Sequence, residues 1–234
     1  MTTSITNKKI IAQDTLLVEF AATEPFSFEA GQYLTLTLDK LNYPDLRGNS
    51  RIFSIVNAPI ETGKLRITTR LTDSGFKKTL AELPLDARVT INIEGGDFIL
   101  PTQTSQPLVF IAGGIGITPF MSMLDYFQQK NTGHTILLIY SNRNLASTAY
   151  KKELENIARE NKNFKIIFTM TQDDHWQGEK RKIDSEFIKE YTDPMNNYYM
   201  VAGPPRMVQA IISELEQAGV AAANIKSENF SGYN

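Results

Sequence analysis

The sequence predicts a two-domain fold, an N-terminal antiparallel Greek-key β-barrel over residues 1–102 followed by an α/β doubly wound parallel sheet over residues 103–234. Two observations carry this. Up to about residue 100, short apolar and polar alternations are separated by Gly, Pro, Asn and Asp, the pattern of antiparallel strands joined by tight turns. Beyond the polar, Pro-bounded stretch at residues 101–107, apolar runs of strand length alternate with longer segments of helical period. That alternation implies parallel strands joined by crossover helices.

In the first half the alternations fall at residues 15–20, 33–38, 51–56, 65–71 and 89–93. In the second half strands are expected at 108–112, 135–140, 164–170 and 198–202, with helices near 119–129, 149–161, 184–191 and 206–219. Ligands of such parallel sheets bind beyond the carboxyl ends of the strands.

Composition narrows the chemistry. With 41% hydrophobic and 21% charged residues, the 234-residue chain reads as an ordinary globular protein. Its formal net charge of -2 lacks the basic excess of a broad nucleic-acid surface, so no nucleic-acid partner is expected. There is no cysteine, which excludes a disulfide, a thiolate iron–sulfur cluster and a Cys-type zinc site. Redox chemistry would therefore need a bound organic cofactor. The N-terminal residues lack the apolar core of a signal peptide, and no run approaches the roughly 18 apolar residues of a membrane span. A cytoplasmic monomer is expected. His134 and His175 lie far apart without a partner pattern, so no metal site is assigned.

The stretch V-F-I-A-G-G-I-G-I-T-P-F-M-S-M-L at residues 109–124 joins a strand to a helix through Gly113, Gly114 and Gly116. A helix start presents unpaired N–H groups and about half a positive charge, so it stabilises a phosphate that the backbone can approach. Glycine, with no Cβ, permits that approach. Pro119 suits the first helical turn, where a missing N–H costs nothing. The spacing is not G-x-G-x-x-G, and no acidic residue follows I-L-L-I-Y to hold a ribose diol; Ser141, Asn142 and Arg143 stand there instead. In the first half, R-I-F-S at residues 51–54 puts Arg51 and Phe53 on one face of a strand and Ile52 and Ser54 on the other.

R-I-F-S, G-F-K-K-T-L, G-D-F-I-L, G-G-I-G-I-T-P, A-G-P-P and a near-terminal E-N-F follow one another in a fixed order. In that order they resemble the ferredoxin–NADP(+) reductase superfamily, a flavin-binding barrel followed by a pyridine-nucleotide domain, without a fused iron–sulfur domain. The resemblance spans nearly the whole chain. It implies that Arg51 pairs with the flavin pyrophosphate, that Phe53 stacks against the isoalloxazine ring, that the Ser54 hydroxyl lies near flavin N5, and that Ile52 is among the flavin-binding residues. It implies that Gly75, Lys77, Lys78 and Thr79 hold the rest of the pyrophosphate. Gly113, Gly114, Gly116, Thr118 and Pro119, with Ser141, Arg143, Ala202, Gly203 and Pro204, would receive the nicotinamide nucleotide. Glu228 would stand as a carboxylate near the flavin, with Phe230, extended by Tyr233, covering a ring.

Ser54, Thr118 and Glu228 are thus the implied catalytic residues. The chain departs from the family where Phe53 replaces the commoner Tyr and where Ala202 replaces a cysteine. The resemblance implies an oxidoreductase that passes hydride from NADPH or NADH to FAD, rather than FMN, and then electrons to a separate acceptor protein or small molecule. Arg143 and the basic run at residues 180–182 are candidates for a 2′-phosphate. Reduction of free flavin or a quinone, and a non-catalytic flavin- or nucleotide-binding subunit, remain open readings.

Overall fold

The computed structural model describes residues 1–22, 24–101, 104–130 and 133–230. The chain forms two compact units: Met1–Leu100 with Thr118–Tyr126, and Pro101–Ile117 with Phe127–Asn234.

The first unit holds β1 (Thr2–Ala12), β2 (Thr15–Ala21), β3 (Tyr33–Thr37), β4 (Ser50–Ser54), β5 (Lys64–Arg70) and β6 (Arg88–Gly95), with α1 (Gly75–Glu82) between β5 and β6. The strands form one antiparallel sheet in the order β4-β3-β6-β1-β2-β5. Its residues alternate as a half-buried sheet must: Val18 and Phe20, Leu34 and Leu36, Leu65 and Ile67, and Val89 and Ile91 all point into one core. Burying each such side chain stabilises the fold by roughly 1.5–3 kcal/mol. The sheet curls so that its edges meet. The Val56 N–H donates to the Arg66 carbonyl at 2.9 Å, and the Arg66 N–H donates to Asn57 Oδ1 at 2.8 Å.

Strand β1 lies outside the alternations expected from the sequence. Its run T-T-S-I-T-N-K-K-I-I-A is mostly polar, and only Thr3 and Ile5 are buried. Backbone pairing on both sides, with β2 and with β6, brings it into the sheet. Hydrophobic period has little to report in a strand held chiefly by its ladder.

The second unit is a parallel sheet of β7 (Leu108–Gly113), β8 (Ile136–Asn142), β9 (Phe164–Met170), β10 (Tyr198–Gly203) and β11 (Ile225–Asn229), in the order β11-β10-β7-β8-β9. The helices are α2 (Thr118–Lys130), α3 (Lys151–Glu160), α4 (Ser185–Tyr191) and α5 (Pro205–Ala218). The amino-terminal nine residues of α2 belong to the first unit. All six residues of β7 are buried, as expected of a central parallel strand covered on both faces. The chain runs outward from β7 to β8 and β9, then returns to the other side of β7 as β10. The reversal makes the carboxyl ends of β7 and β10 the topological switch point of the sheet. Among the described residues no helix is long and apolar enough to cross a membrane.

Candidate functional site

At the switch point, β7 ends in Gly113 and β10 in Gly203. A Cβ on Gly116 would fall inside the Ala202 backbone and within 2.7 Å of the Gly203 Cα, so only glycine lets this turn close against β10. The Tyr140 hydroxyl, from buried β8, donates to the Gly114 carbonyl at 3.0 Å and fixes the turn. Ser141 pairs with Gly113 across the ladder. On the other flank, β11 places Glu228 beside Ala202, and the Phe230 N–H donates to the Gly203 carbonyl at 2.9 Å. Gly113, Gly114, Gly116, Ser141, Ala202, Gly203, Glu228 and Phe230 are thereby gathered along one sheet edge.

Glu228 Oε2 is buried without a hydrogen-bond partner, and burial pushes its carboxyl up to about 7. Arg143 is exposed just past β8. The basic run has other work: Arg181 donates to both oxygens of Glu179 and to Glu190, each at 2.9 Å, and Lys180 Nζ donates to the Asp174 carbonyl at 2.8 Å. Tyr233 lies outside the described residues.

In the first unit, β4 carries Arg51 and Phe53 inward and Ile52 outward, where Ile52 is 65% exposed. Phe53 joins the core at 6.1 Å from Phe76, and Ser54 is buried beside it in sequence. Arg51 is almost fully buried, with its guanidinium 5.1 Å from the centre of the Phe76 ring. Its Nη1 donates to the carbonyls of Arg47, Gly48 and Ser50 at 2.7–2.9 Å, and its Nη2 donates to Asp45 Oδ1 at 2.5 Å.

Asp45 completes an anion seat at the amino end of α1. Its Oδ2 accepts from the Phe76 N–H at 3.0 Å and from Ser74 Oγ at 2.7 Å, and its Oδ1 also accepts from the Arg47 N–H at 3.0 Å. These donors, the Phe76 amide first and Ser74 next, hold its carboxyl well below the usual carboxylate range. Lys77 lies in the same cluster, 5% exposed. Burial first, then the charges of Arg47, Arg51 and Arg70, push it down to about 8, against the opposing pull of Asp45.

Lys78, one residue on, faces outward to Asp73 at 3.1 Å, because neighbours on a helix point in different directions. Thr79 is buried, donating to the Gly75 carbonyl at 2.8 Å and accepting from the Asn42 N–H at 2.9 Å. Thr118 and Pro119 open α2, which is tied to the segment following β4: Ser122 Oγ donates to the Asn57 carbonyl at 2.8 Å, and the Ala58 N–H donates to Asp125 Oδ2 at 3.1 Å. Phe98 and Phe120 meet edge-on at 5.6 Å. Sequence reasoning missed Asp45, Arg47 and Arg70. The turn signal D-L-R-G was the available clue to the first two, since Asp at its first position accepts from the N–H two residues on.

Known proteins share this fold. Residues 110–212 match the model of the oxidoreductase NAD-binding domain. A ferredoxin NADP+ reductase from Neisseria gonorrhoeae with bound FAD and NADP superposes with a TM-score of 0.81 at 20% identity, over 98% of each chain. This is the ferredoxin–NADP(+) reductase-like fold. Among curated relatives, the anthranilate 1,2-dioxygenase electron transfer component of Acinetobacter baylyi is 26% identical over 97% of this chain and 66% of its own length. The phenol hydroxylase P5 protein of Acinetobacter pittii is 28% identical over 88% of this chain and 58% of its own. The chain thus spans two thirds or less of the length of these relatives.

Proposed function

We propose that the chain is an FAD-dependent NAD(P)H oxidoreductase, with residues 1–102 binding flavin, residues 103–234 binding NADH or NADPH, and a separate protein, such as an oxygenase component, receiving the electrons. The observation that carries this reading is the anion seat of the first unit. A helix start, a buried guanidinium and a buried lysine converge there on a single carboxylate, and Arg47 and Arg70 add further charge. That donor set fits the phosphates of a flavin nucleotide in both charge and hydrogen-bonding sense.

When bound, the flavin supplies a ring that takes hydride from the nicotinamide and gives up electrons singly or in pairs. The chain's own part is binding and orientation. Arg51 and α1 would hold the flavin phosphates, and Phe53 and Ser54 follow Arg51 on the same strand. The turn at Gly113–Ile117 would take the phosphates of the pyridine nucleotide, whose approach needs the Cβ-free backbone. Ala202, in place of a thiol, is no obstacle, since hydride transfer requires no protein nucleophile. Glu228 would hold a proton at neutral pH on its buried oxygen. The names of the two curated relatives, an electron transfer component of a dioxygenase and a phenol hydroxylase protein, support a protein acceptor.

Purified protein should bind FAD, turn yellow and bleach anaerobically with NADH or NADPH. Reoxidation by candidate carriers, measured at two salt concentrations, then identifies the acceptor class and its electrostatic dependence. Colour without bleaching would favour a non-catalytic module. A protein that binds no added flavin would overturn the proposal.

A further inference from the structure

We propose that the Asp45 carboxylate is a resident competitor for the diphosphate of the flavin, and that the strap at residues 42–50 must withdraw it from α1 before the cofactor is held. The inference rests on the flavin reading above. Three of the four donors to the Asp45 carboxylate are ones that a phosphate oxygen would use, the Phe76 amide at the helix start, the Ser74 hydroxyl and the Arg51 guanidinium; the fourth is the Arg47 N–H of its own turn. The Asp45 side chain is 7% exposed and that of Arg51 9%, so carboxylate and phosphate cannot share the guanidinium face turned to α1. A carboxylate brings one negative charge to Arg47, Arg51, Arg70 and Lys77, whereas a diphosphate brings two or more. The seat is under-neutralised by its present occupant.

The strap has the form such an exchange requires. One end is fastened to α1: the Asn42 N–H donates to Thr79, Tyr43 Oη donates to Glu82 Oε1 at 2.5 Å, and the carbonyls of Tyr43 and Pro44 lie where a Cβ on Gly75 would be. Its tip is a four-residue turn closed by the Gly48 N–H on the Asp45 carbonyl at 3.0 Å, and Leu46, Arg47, Gly48 and Asn49 are all exposed. Withdrawing Asp45 therefore opens no hydrophobic core. Until a ligand arrives, the carboxylate spares the fold an unpaired buried guanidinium, which is strongly destabilising.

The test compares unsubstituted protein with Asp45→Asn and Asp45→Ala by fluorescence titration with FAD, FMN and riboflavin, and by thermal melting with inorganic pyrophosphate. Removing the carboxylate should tighten FAD and FMN binding at least tenfold and leave riboflavin, which has no phosphate, within twofold. Pyrophosphate should raise the melting temperature of the variants more than that of the parent. In unsubstituted protein, hydrogen exchange at residues 43–48 should quicken when FAD or pyrophosphate is added, a measurement that stands even where a variant does not fold. Equal or weaker FAD binding by the variants, or strap amides whose exchange is unchanged or slowed by FAD, overturns the inference. If no flavin binds while pyrophosphate still separates variant from parent, the flavin reading falls and the competitor stands for another diphosphate. If riboflavin and FAD bind and no arm separates the variants, the competitor falls alone.

Discussion

The family resemblance implies a phosphate partner for Arg51, and in the fold its guanidinium carries Asp45 and three carbonyls. What a motif fixes is the position and burial of a charge; which partner meets it depends on the loops that fold over it. Lys77 is the sharpest local probe. Held at about 8 by burial and by Arg47, Arg51 and Arg70, it should be driven back to the charged form when an anion joins the seat. Calorimetry of pyrophosphate or FAD binding in two buffers of different ionisation enthalpy should show fractional proton uptake at pH 8.5 and almost none at pH 6.5. Lys77→Met should abolish that uptake.

Glu228 gives the opposite test. Its carboxyl titrates near 7 in the fold and near 4.5 when unfolded, so between those values the folded state holds the extra proton and stability falls as pH rises. Glu228→Gln should remove this slope, on the order of 2 kcal/mol across the window. Melting curves of both proteins at pH 5 and pH 8 decide it; parallel pH dependence would contradict the assignment.

At the scale of elements, strand and helix positions in the second half were legible because apolar runs of six or seven residues alternate with amphipathic stretches. The two polar strands, β1 and β11, were not. Each is held largely by backbone pairing, which leaves no periodic mark in the side chains. The glycine junction was legible as a close approach, while its partner, the carbonyl of Ala202 some 86 residues away, was not. Gly116→Ala should force the ends of β7 and β10 apart and destabilise by about 1–3 kcal/mol or more, with loss of NAD(P)H binding. Gly63→Ala, where a Cβ would meet nothing within 4 Å, should stay within about 0.5 kcal/mol and serves as the control. Chemical denaturation and nucleotide titration of both variants make the comparison.

At the scale of the whole molecule, contiguous sequence and compact unit do not coincide. Residues 118–126 follow the first parallel strand in sequence yet belong with the first unit, where Ser122 and Asp125 satisfy the Asn57 carbonyl and the Ala58 N–H and Phe120 packs on Phe98. A fragment of residues 1–102 would leave these groups without those partners. It should melt well below the corresponding transition of the intact chain, since leaving even one buried backbone group unsatisfied costs about 1–3 kcal/mol. Differential scanning calorimetry checks this, and a fragment as stable as the intact chain would refute it.

The sequence by itself determined the two-domain class, most of the strands and helices, and the close approach at the glycine junction. Those follow from short-range causes: side-chain period, turn chemistry, and the freedom of a backbone without Cβ. Only the tertiary structure decided that Asp45 meets Arg51 on α1, that Glu228 lies half-buried beside Ala202 with Oε2 out of reach of solvent, and that Arg181 is occupied by two glutamates. Each of these depends on which loops or strands come together, and a charge separated from its partner by intervening chain leaves no periodic trace of where that partner will be.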